Sequence, residues 1–282
     1  MKVLVTGATG VLGRRSLPQL VKAGHAVSAL ARTKEKADLV RAVGATPVGV
    51  NLFDRAQLVR AVDGQECVIN LATTIPPPSR AMPASAWAEN NRIRSEASRR
   101  LVEASLTAGV VRFLQESIAF MYADAGEAWI DEDAPLEPPP VGMACLVAEA
   151  QAERFNEGGG VGVVLRFGQL YDWYSAHTRF MRAMVRRRLP ALPGPASAYS
   201  PTIAADDAAA GIVAAREAPS GAWNVSDDEP MTRRASNLEV SEALGAKPPI
   251  TTGSALLRLN QNTRFYLRSQ RVSNRRLKEA TT

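Results

Sequence analysis

Residues 6–13, Thr-Gly-Ala-Thr-Gly-Val-Leu-Gly, narrow the fold more than any other stretch of this chain. They follow an apolar run, Lys2 to Val5, and lead into an amphipathic one, Arg14 to Lys22. Glycines in this arrangement permit a tight strand-to-helix turn, let backbone approach a pyrophosphate, and let the helix pack close to a sheet. The helix start then offers free N–H groups and partial positive charge to phosphates. A glycine triplet alone is only a turn. Here strand, turn, helix and a second strand, Ala26 to Ala31, fall within about 30 residues, as a dinucleotide-binding unit requires.

The same rhythm continues. Helical patterns at Lys34 to Val43, Asp54 to Val62 and Ala86 to Ala108 alternate with apolar runs at Thr46 to Val50, Cys67 to Leu71 and Val111 to Glu116. Alternation of this kind implies right-handed crossovers and a parallel sheet covered on both faces. Residues 123–142, acidic and then proline-rich, and residues 190–201, with four prolines, read as irregular connections. Between and after them come helices at Met143 to Asn156, Thr178 to Arg188 and Asp206 to Ala215, and strands at Gly162 to Arg166 and Ala222 to Val225. The expected fold is α/β, a doubly wound Rossmann parallel sheet with a small C-terminal substrate-binding lobe. Residues 1–165 form the core of the sheet, and 166–282 complete it and form the lobe.

The end of the second strand bears on the cofactor. An NAD site usually places a carboxylate about 20 residues past the glycines to hold the ribose hydroxyls. This strand ends Ala29-Leu30-Ala31-Arg32. A small residue followed by a guanidinium suits a 2′-phosphate, so NADP(H) is preferred over NAD(H). Arg14 and Arg15 are further phosphate contacts in reserve.

Composition removes several alternatives. No apolar stretch approaches the ~18 residues that cross a bilayer. The first residues lack the apolar core and cleavage site of a signal peptide. Two cysteines, Cys67 and Cys145, make no disulfide framework, so a cytoplasmic location is expected. The 34 basic and 28 acidic residues leave a net charge of +6. Part of the excess lies in Arg182, Arg186, Arg187 and Arg188 and in a late run from Arg258 to Lys278. Without a nucleic-acid motif or aromatic interleaving, these read as solvated helix faces. No His, Cys, Asp or Glu set has metal-ligand spacing. A small-molecule substrate is expected, with no nucleic acid and no membrane.

The glycine motif, Asn51-Leu52, Asn70-Leu71-Ala72-Thr73, Arg112-Phe113-Leu114 leading to Ser117, Ala148-Glu149, Leu165 to Tyr171 and Asp206-Asp207-Ala208 together resemble the extended short-chain dehydrogenases/reductases, the NAD-dependent epimerase/dehydratase family. The resemblance implies that Gly7, Thr9, Gly10, Val11, Leu12 and Gly13 hold the pyrophosphate and Arg32 the 2′-phosphate. It places Asn51 and Leu52 beside the adenine, and Leu71, Ala72, Thr73 and Ser117 along the ribose and nicotinamide. It also implies a homodimer through the two long helices. Members usually continue past a segment like Ser273 to Lys278, so this chain is expected to be short there or part of a longer one.

The family's catalytic set does not carry over. Its members use a serine or threonine after the fifth strand and Tyr-x-x-x-Lys on the following long helix. The lysine holds the nicotinamide ribose and lowers the tyrosine's pKa. Counting from Tyr122 puts Ile118 at the serine position, and counting from Ala148-Glu149 puts Val141 and Cys145 at the tyrosine and lysine. No Tyr-x-x-x-Lys occurs anywhere in the chain.

Other groups must then supply any proton. Tyr171, Tyr174 and His177 follow the sixth long strand in a segment that faces substrate in the family, and an imidazole titrates near ~6.5. Glu116 ends the fifth strand, as an acid/base or as an anchor for loop amides. Tyr122 reads as packing, and Cys145 as a small core residue. The apolar stretch 66–78 suggests a pocket less polar than a sugar-nucleotide site. Three functions stay open: an NADP(H)-dependent oxidoreductase on a small carbonyl or hydroxyl compound with a non-standard proton donor, a catalytically degenerate NADP(H) sensor or scaffold, and a non-redox isomerase or cyclase.

Overall fold

The computed structural model describes residues 1–81, 83–250, 255–259 and 261–281. Its first half is strictly alternating. The elements are β1 (Lys2–Thr6), α1 (Val11–Lys22), β2 (Ala26–Leu30), α2 (Lys34–Ala42), β3 (Thr46–Val48), α3 (Arg55–Val62) and β4 (Cys67–Asn70). A long helical stretch follows: α4 (Ala88–Arg92), a π turn (Ile93–Ala97) and α5 (Ser98–Thr107). It leads to β5 (Arg112–Ile118).

The second half carries β6 (Trp129–Ile130), α6 (Met143–Glu157), β7 (Val161–Phe167), β8 (Gln169–Tyr171), α7 (Ala176–Arg186), β9 (Thr202–Ala204) and α8 (Ala205–Ala214). Then come β10 (Gly221–Val225), α9 (Arg233–Ala243), α10 (Ala255–Arg258), β11 (Arg271–Val272) and α11 (Arg275–Thr281).

Seven strands form one sheet in the order β10-β7-β5-β4-β1-β2-β3, and every pairing within it is parallel. Continuous apolar runs suit strands buried on both faces. Val3, Val5, Ile69, Leu114 and Leu165 meet α1 and α8 through Leu12, Leu17, Leu20, Ala208 and Ile212. Leu4, Val68 and Phe113 meet α3, α5 and α6 through Leu58, Val62, Leu101, Val102 and Phe155. Alternate residues of one strand thus feed two separate cores.

Three elements depart from the expectation. β5 runs two residues further, to Ile118, because Glu116, Ser117 and Ile118 pair with Leu165, Arg166 and Phe167 of β7. The helix expected as one piece over 86–108 changes pitch at 93–97. The connection 123–142, expected to be irregular, contains β6, which pairs in parallel with β11 from the far end of the chain. A second small sheet joins β8 to β9. Met181 and Val185 of α7 pack on Ala191 and Leu192 and on Val240 and Leu244, a separate small core over the sheet's carboxyl end.

Candidate functional site

The strand order reverses between β1 and β4, and in open α/β sheets ligands bind outside the carboxyl ends of the strands at such a point. The glycine turn lies there. Gly7 has φ +64°, and a Cβ on it would lie 2.2 Å from the carbonyl oxygen of Leu71. A Cβ on Gly13 would lie 2.5 Å from backbone atoms of Ala8. These two glycines are needed to close the turn itself. Gly10 differs: it is exposed, and a Cβ there would approach only the Gly7 oxygen, at 3.2 Å.

Gly10 is also the N-cap of α1, and it offers no side chain to the helix's first N–H groups. Those groups lack the usual cap and face an open, Cβ-free surface, which fits a pyrophosphate. Thr9 is half-buried and Val11 exposed, while Leu12 packs inward. Arg14 Nε donates to the Thr9 carbonyl at 2.9 Å and stays along the turn. Arg15 is not available as a phosphate contact: its guanidinium binds Asp172 at 2.5 Å and lies 3.4 Å from Asp206.

Arg32 is exposed just past β2, with no ion-pair partner among the described residues, and Thr33 beside it caps α2. Asn51 is exposed, its Oδ1 accepting from Phe53 N–H at 3.0 Å, and Leu52 is half-buried. Leu71 is buried under Gly7, and Ala72 and Thr73 are half-buried along the next turn. These residues therefore share one rim. Ser117 does not join them: its buried hydroxyl donates to Glu149 Oε1 of α6 at 2.5 Å.

Below the rim runs a polar layer that the sequence reading missed. Thr6 Oγ1 donates to Asn70 Oδ1 at 2.5 Å, and Asn70 Nδ2 donates to Ser98 Oγ at 3.0 Å and Gln115 Oε1 at 2.9 Å. Asn90 Oδ1 accepts from Thr74 N–H at 3.1 Å. Arg94 Nη2 meets Glu116 Oε1 at 2.8 Å, and its Nη1 meets Cys145 Sγ at 2.8 Å. The available signal was Asn90, Arg94 and Ser98, polar residues four apart on an otherwise apolar helix face.

Glu116 thus has a partner that neither expectation named, a guanidinium rather than loop amides. Burial pushes its carboxyl up, and Arg94 opposes that shift. A second buried chain links Glu149 to Arg166 at 2.8 Å, Arg166 to the Tyr122 hydroxyl at 3.0 Å, and Tyr122 to Asn224 Oδ1 at 2.7 Å. Burial raises the Tyr122 phenol to about 12, so it is a fixed structural donor.

The expected proton donors lie at the end of β8, in the turn after it and at the start of α7. Tyr171 is partly exposed, its hydroxyl 3.5 Å from Asp227 Oδ1; burial, then the carboxylates of Asp227 and Asp207, raise it to about 12. Tyr174 is 74% exposed, and its N–H donates to Asp172 Oδ1 at 2.8 Å, which keeps it beside Tyr171. His177 stands apart, with ring Nε2 2.6 Å from the Gln169 amide nitrogen, and burial lowers its pKa. Among the described residues no three His, Cys, Asp or Glu side chains are grouped to hold a metal ion. No helix among them is long and apolar enough to cross a membrane.

Comparison with known proteins agrees with this fold. The model of the NAD dependent epimerase/dehydratase family matches residues 3–226. A 3-diazoavenalumate denitrifying reductase from Streptomyces sp. is 36% identical over 265 residues, covering 91% of this chain and 86% of that protein. A 4-hydroxy-2-methyl-3-oxo-4-farnesyl-3,4-dihydroquinoline-1-oxide ketoreductase from Stigmatella aurantiaca is 30% identical over 190 residues, covering 66% and 54%. Human epimerase family protein SDR39U1 with NADPH superposes with a TM-score of 0.82 at 23% identity, covering 100% of this chain and 94% of that one. The last likeness shows the fold alone.

Proposed function

Because the chain belongs to the NAD dependent epimerase/dehydratase family, we propose that it is an NADP(H)-dependent reductase of a small carbonyl compound, or oxidises the matching alcohol. The carrying observation is Gly10, exposed at the uncapped start of α1 between two glycines that packing consumes. Arg32, free beside the rim where a carboxylate would select NAD, supports the phosphorylated cofactor. Bound there, the cofactor supplies hydride. The chain's part is to hold it and to provide a proton through Tyr171 or Tyr174. His177, half-buried and shifted toward its neutral form, suits acceptance of a proton better than donation at neutral pH.

A second reading follows from Val141 and Cys145. A substrate carbon that takes hydride with loss of N2 needs no proton: the C–H bond forms, the C–N bond breaks, and its electron pair leaves with nitrogen. An aryl diazonium reacts in this way, and the Streptomyces relative is named for removing nitrogen from a diazo compound. Free buried cysteines suit a reducing cytoplasm, and exposed Met143 and Val147 on α6 suit a homodimer through the long helices.

Titration of the protein and of Arg32→Ala with NADPH and NADH tests the cofactor. Tight NADPH binding that weakens selectively in the variant supports the reading, and no binding of either nucleotide sinks it. NADPH oxidation against carbonyl and aryl-diazonium panels, with N2 measured for the latter, separates the two acceptors. Binding without oxidation in both panels points to a sensor or scaffold, and turnover without nicotinamide to an isomerase or cyclase.

A further inference from the structure

The helical stretch 88–107 changes pitch where it passes the carboxyl ends of β4 and β5. A π turn widens the helix by one residue and is frequent at functional sites. Here it buries two adjacent residues, Ile93 and Arg94. Arg94 then falls between Asn90, which holds the Thr74 N–H, and Ser98, which holds Asn70. Both outer contacts fix the segment that begins with Leu71 and Ala72, the rim of the candidate cofactor crevice.

The guanidinium of Arg94 lies 2.8 Å from Cys145 Sγ. Any side chain longer than cysteine at 145 would run into it. The space beyond residue 145 is therefore filled by a cation from another helix.

The ion pair itself looks expensive for a purely structural feature. Arg94 is 2% exposed and Glu116 7%. Arg94 Nε and Glu116 Oε2 are both buried without a hydrogen-bond partner among the described residues. Buried ion pairs are often no more stabilising than apolar side chains of the same volume, and each unmet polar atom adds a cost. Both atoms are closed to a ligand in this conformation, so the pair acts on a bound group by its charge and by holding the rim rather than by direct contact.

We propose that Arg94, held by Glu116, is the positioning residue for the nicotinamide half of the cofactor, supplying from the π turn the positive charge that residue 145 does not. This rests on the NADP(H) reading above. The cation is delivered across the crevice floor from the helix before β5 instead of from the helix after it.

The test compares two ligands, NADPH and adenosine 2′,5′-bisphosphate, which carries only the adenine half. Arg94→Met/Glu116→Gln removes both charges together and leaves neither stranded. Its affinity for NADPH falls roughly tenfold, while its affinity for the bisphosphate is unchanged. Adding Cys145→Lys to that variant returns NADPH affinity. Arg94→Gln gives the same selective loss and serves if the double variant does not fold. Equal affinities of wild type and variants for NADPH, or equal losses for both ligands, overturn the proposal while the NADP(H) reading stands. A wild-type protein that binds neither ligand overturns both.

Discussion

The guanidinium of Arg15 lies 2.5 Å from the carboxylate of Asp172, joining the helix that starts at the glycine turn to the loop that carries Tyr171 and Tyr174. Asp172 also accepts the Tyr174 N–H at 2.8 Å. One carboxylate therefore ties the loop after β8 to the helix that follows the glycine turn, and the pair fixes how far that loop stands from the turn.

This pair makes stability fall in acid. Burial opposes ionisation of Asp172, but Arg15 and backbone N–H groups outweigh it and hold the carboxyl below its ordinary value. A lowered folded pKa means the stabilisation is complete above the unfolded value, about 3.9, and is lost as pH falls below it through the folded pKa. Asp172→Asn is expected to cost about 1 kcal/mol at neutral pH, a modest figure because Arg15 is partly exposed. Melting curves of the two proteins converge toward pH 3 if this is right, and a constant gap across the range refutes it.

The three glycines should separate into two kinds. Gly7→Ala forces a side chain into φ +64° and onto the Leu71 carbonyl, so a loss of at least about 2 kcal/mol is expected. Gly10→Ala meets only the Gly7 oxygen at 3.2 Å and should leave melting nearly unchanged. Its effect is on NADPH, whose binding should weaken by an order of magnitude or more as the methyl intrudes on the phosphate surface. Thermal melting beside a nucleotide titration reads both.

Tyr122 should matter to folding and not to turnover. Its hydroxyl bonds Arg166 and Asn224 in a buried site. Tyr122→Phe is expected to cost about 1–3 kcal/mol and to leave kcat and KM alone. Arg166→Met strands Glu149 and should cost more, about 3–5 kcal/mol. Denaturant midpoints with steady-state kinetics on the same samples check the pair, and a kcat loss in Tyr122→Phe would overturn its assignment to packing.

Both thiols should be inert in the native state. Burial raises Cys67 and Cys145 to about 12 each, so almost no thiolate exists at neutral pH. Iodoacetamide at pH 7.5 should label neither cysteine until denaturant is added. Rapid native labelling of Cys145 would mean that Arg94 does not cover it.

What the sequence shows and hides follows from how each contact is encoded. The strands were legible because a parallel strand buried on both faces is a continuous apolar run, as in Lys2–Thr6 and Cys67–Asn70. The glycine rim was legible because its three glycines fall within one local turn between a strand and a helix. The ion pairs Arg15–Asp172 and Arg94–Glu116 were not, since each joins elements remote in sequence and no local pattern selects one arginine among many. Arg94 was further hidden because a lone arginine on a helix face reads as solvated until Glu116 supplies its partner. The end of β5 was placed two residues early because Ser117 and Ile118 look like loop residues until β7 and α6 supply their partners.

The parallel pairing of β6 with β11 has a consequence in time. Trp129 and Ile130 meet their partner strand only when Arg271 and Val272 exist, long after the strands of the main sheet have been made. At ribosomal speeds of about 5–20 residues per second, the growing chain holds β6 unpaired for several seconds. During that interval the segment that carries Glu132 and supports the buried Tyr122 lacks its final clasp. Residues 271 and 272 therefore close a segment made far earlier, and interruption of synthesis before them would leave β6 without its partner strand.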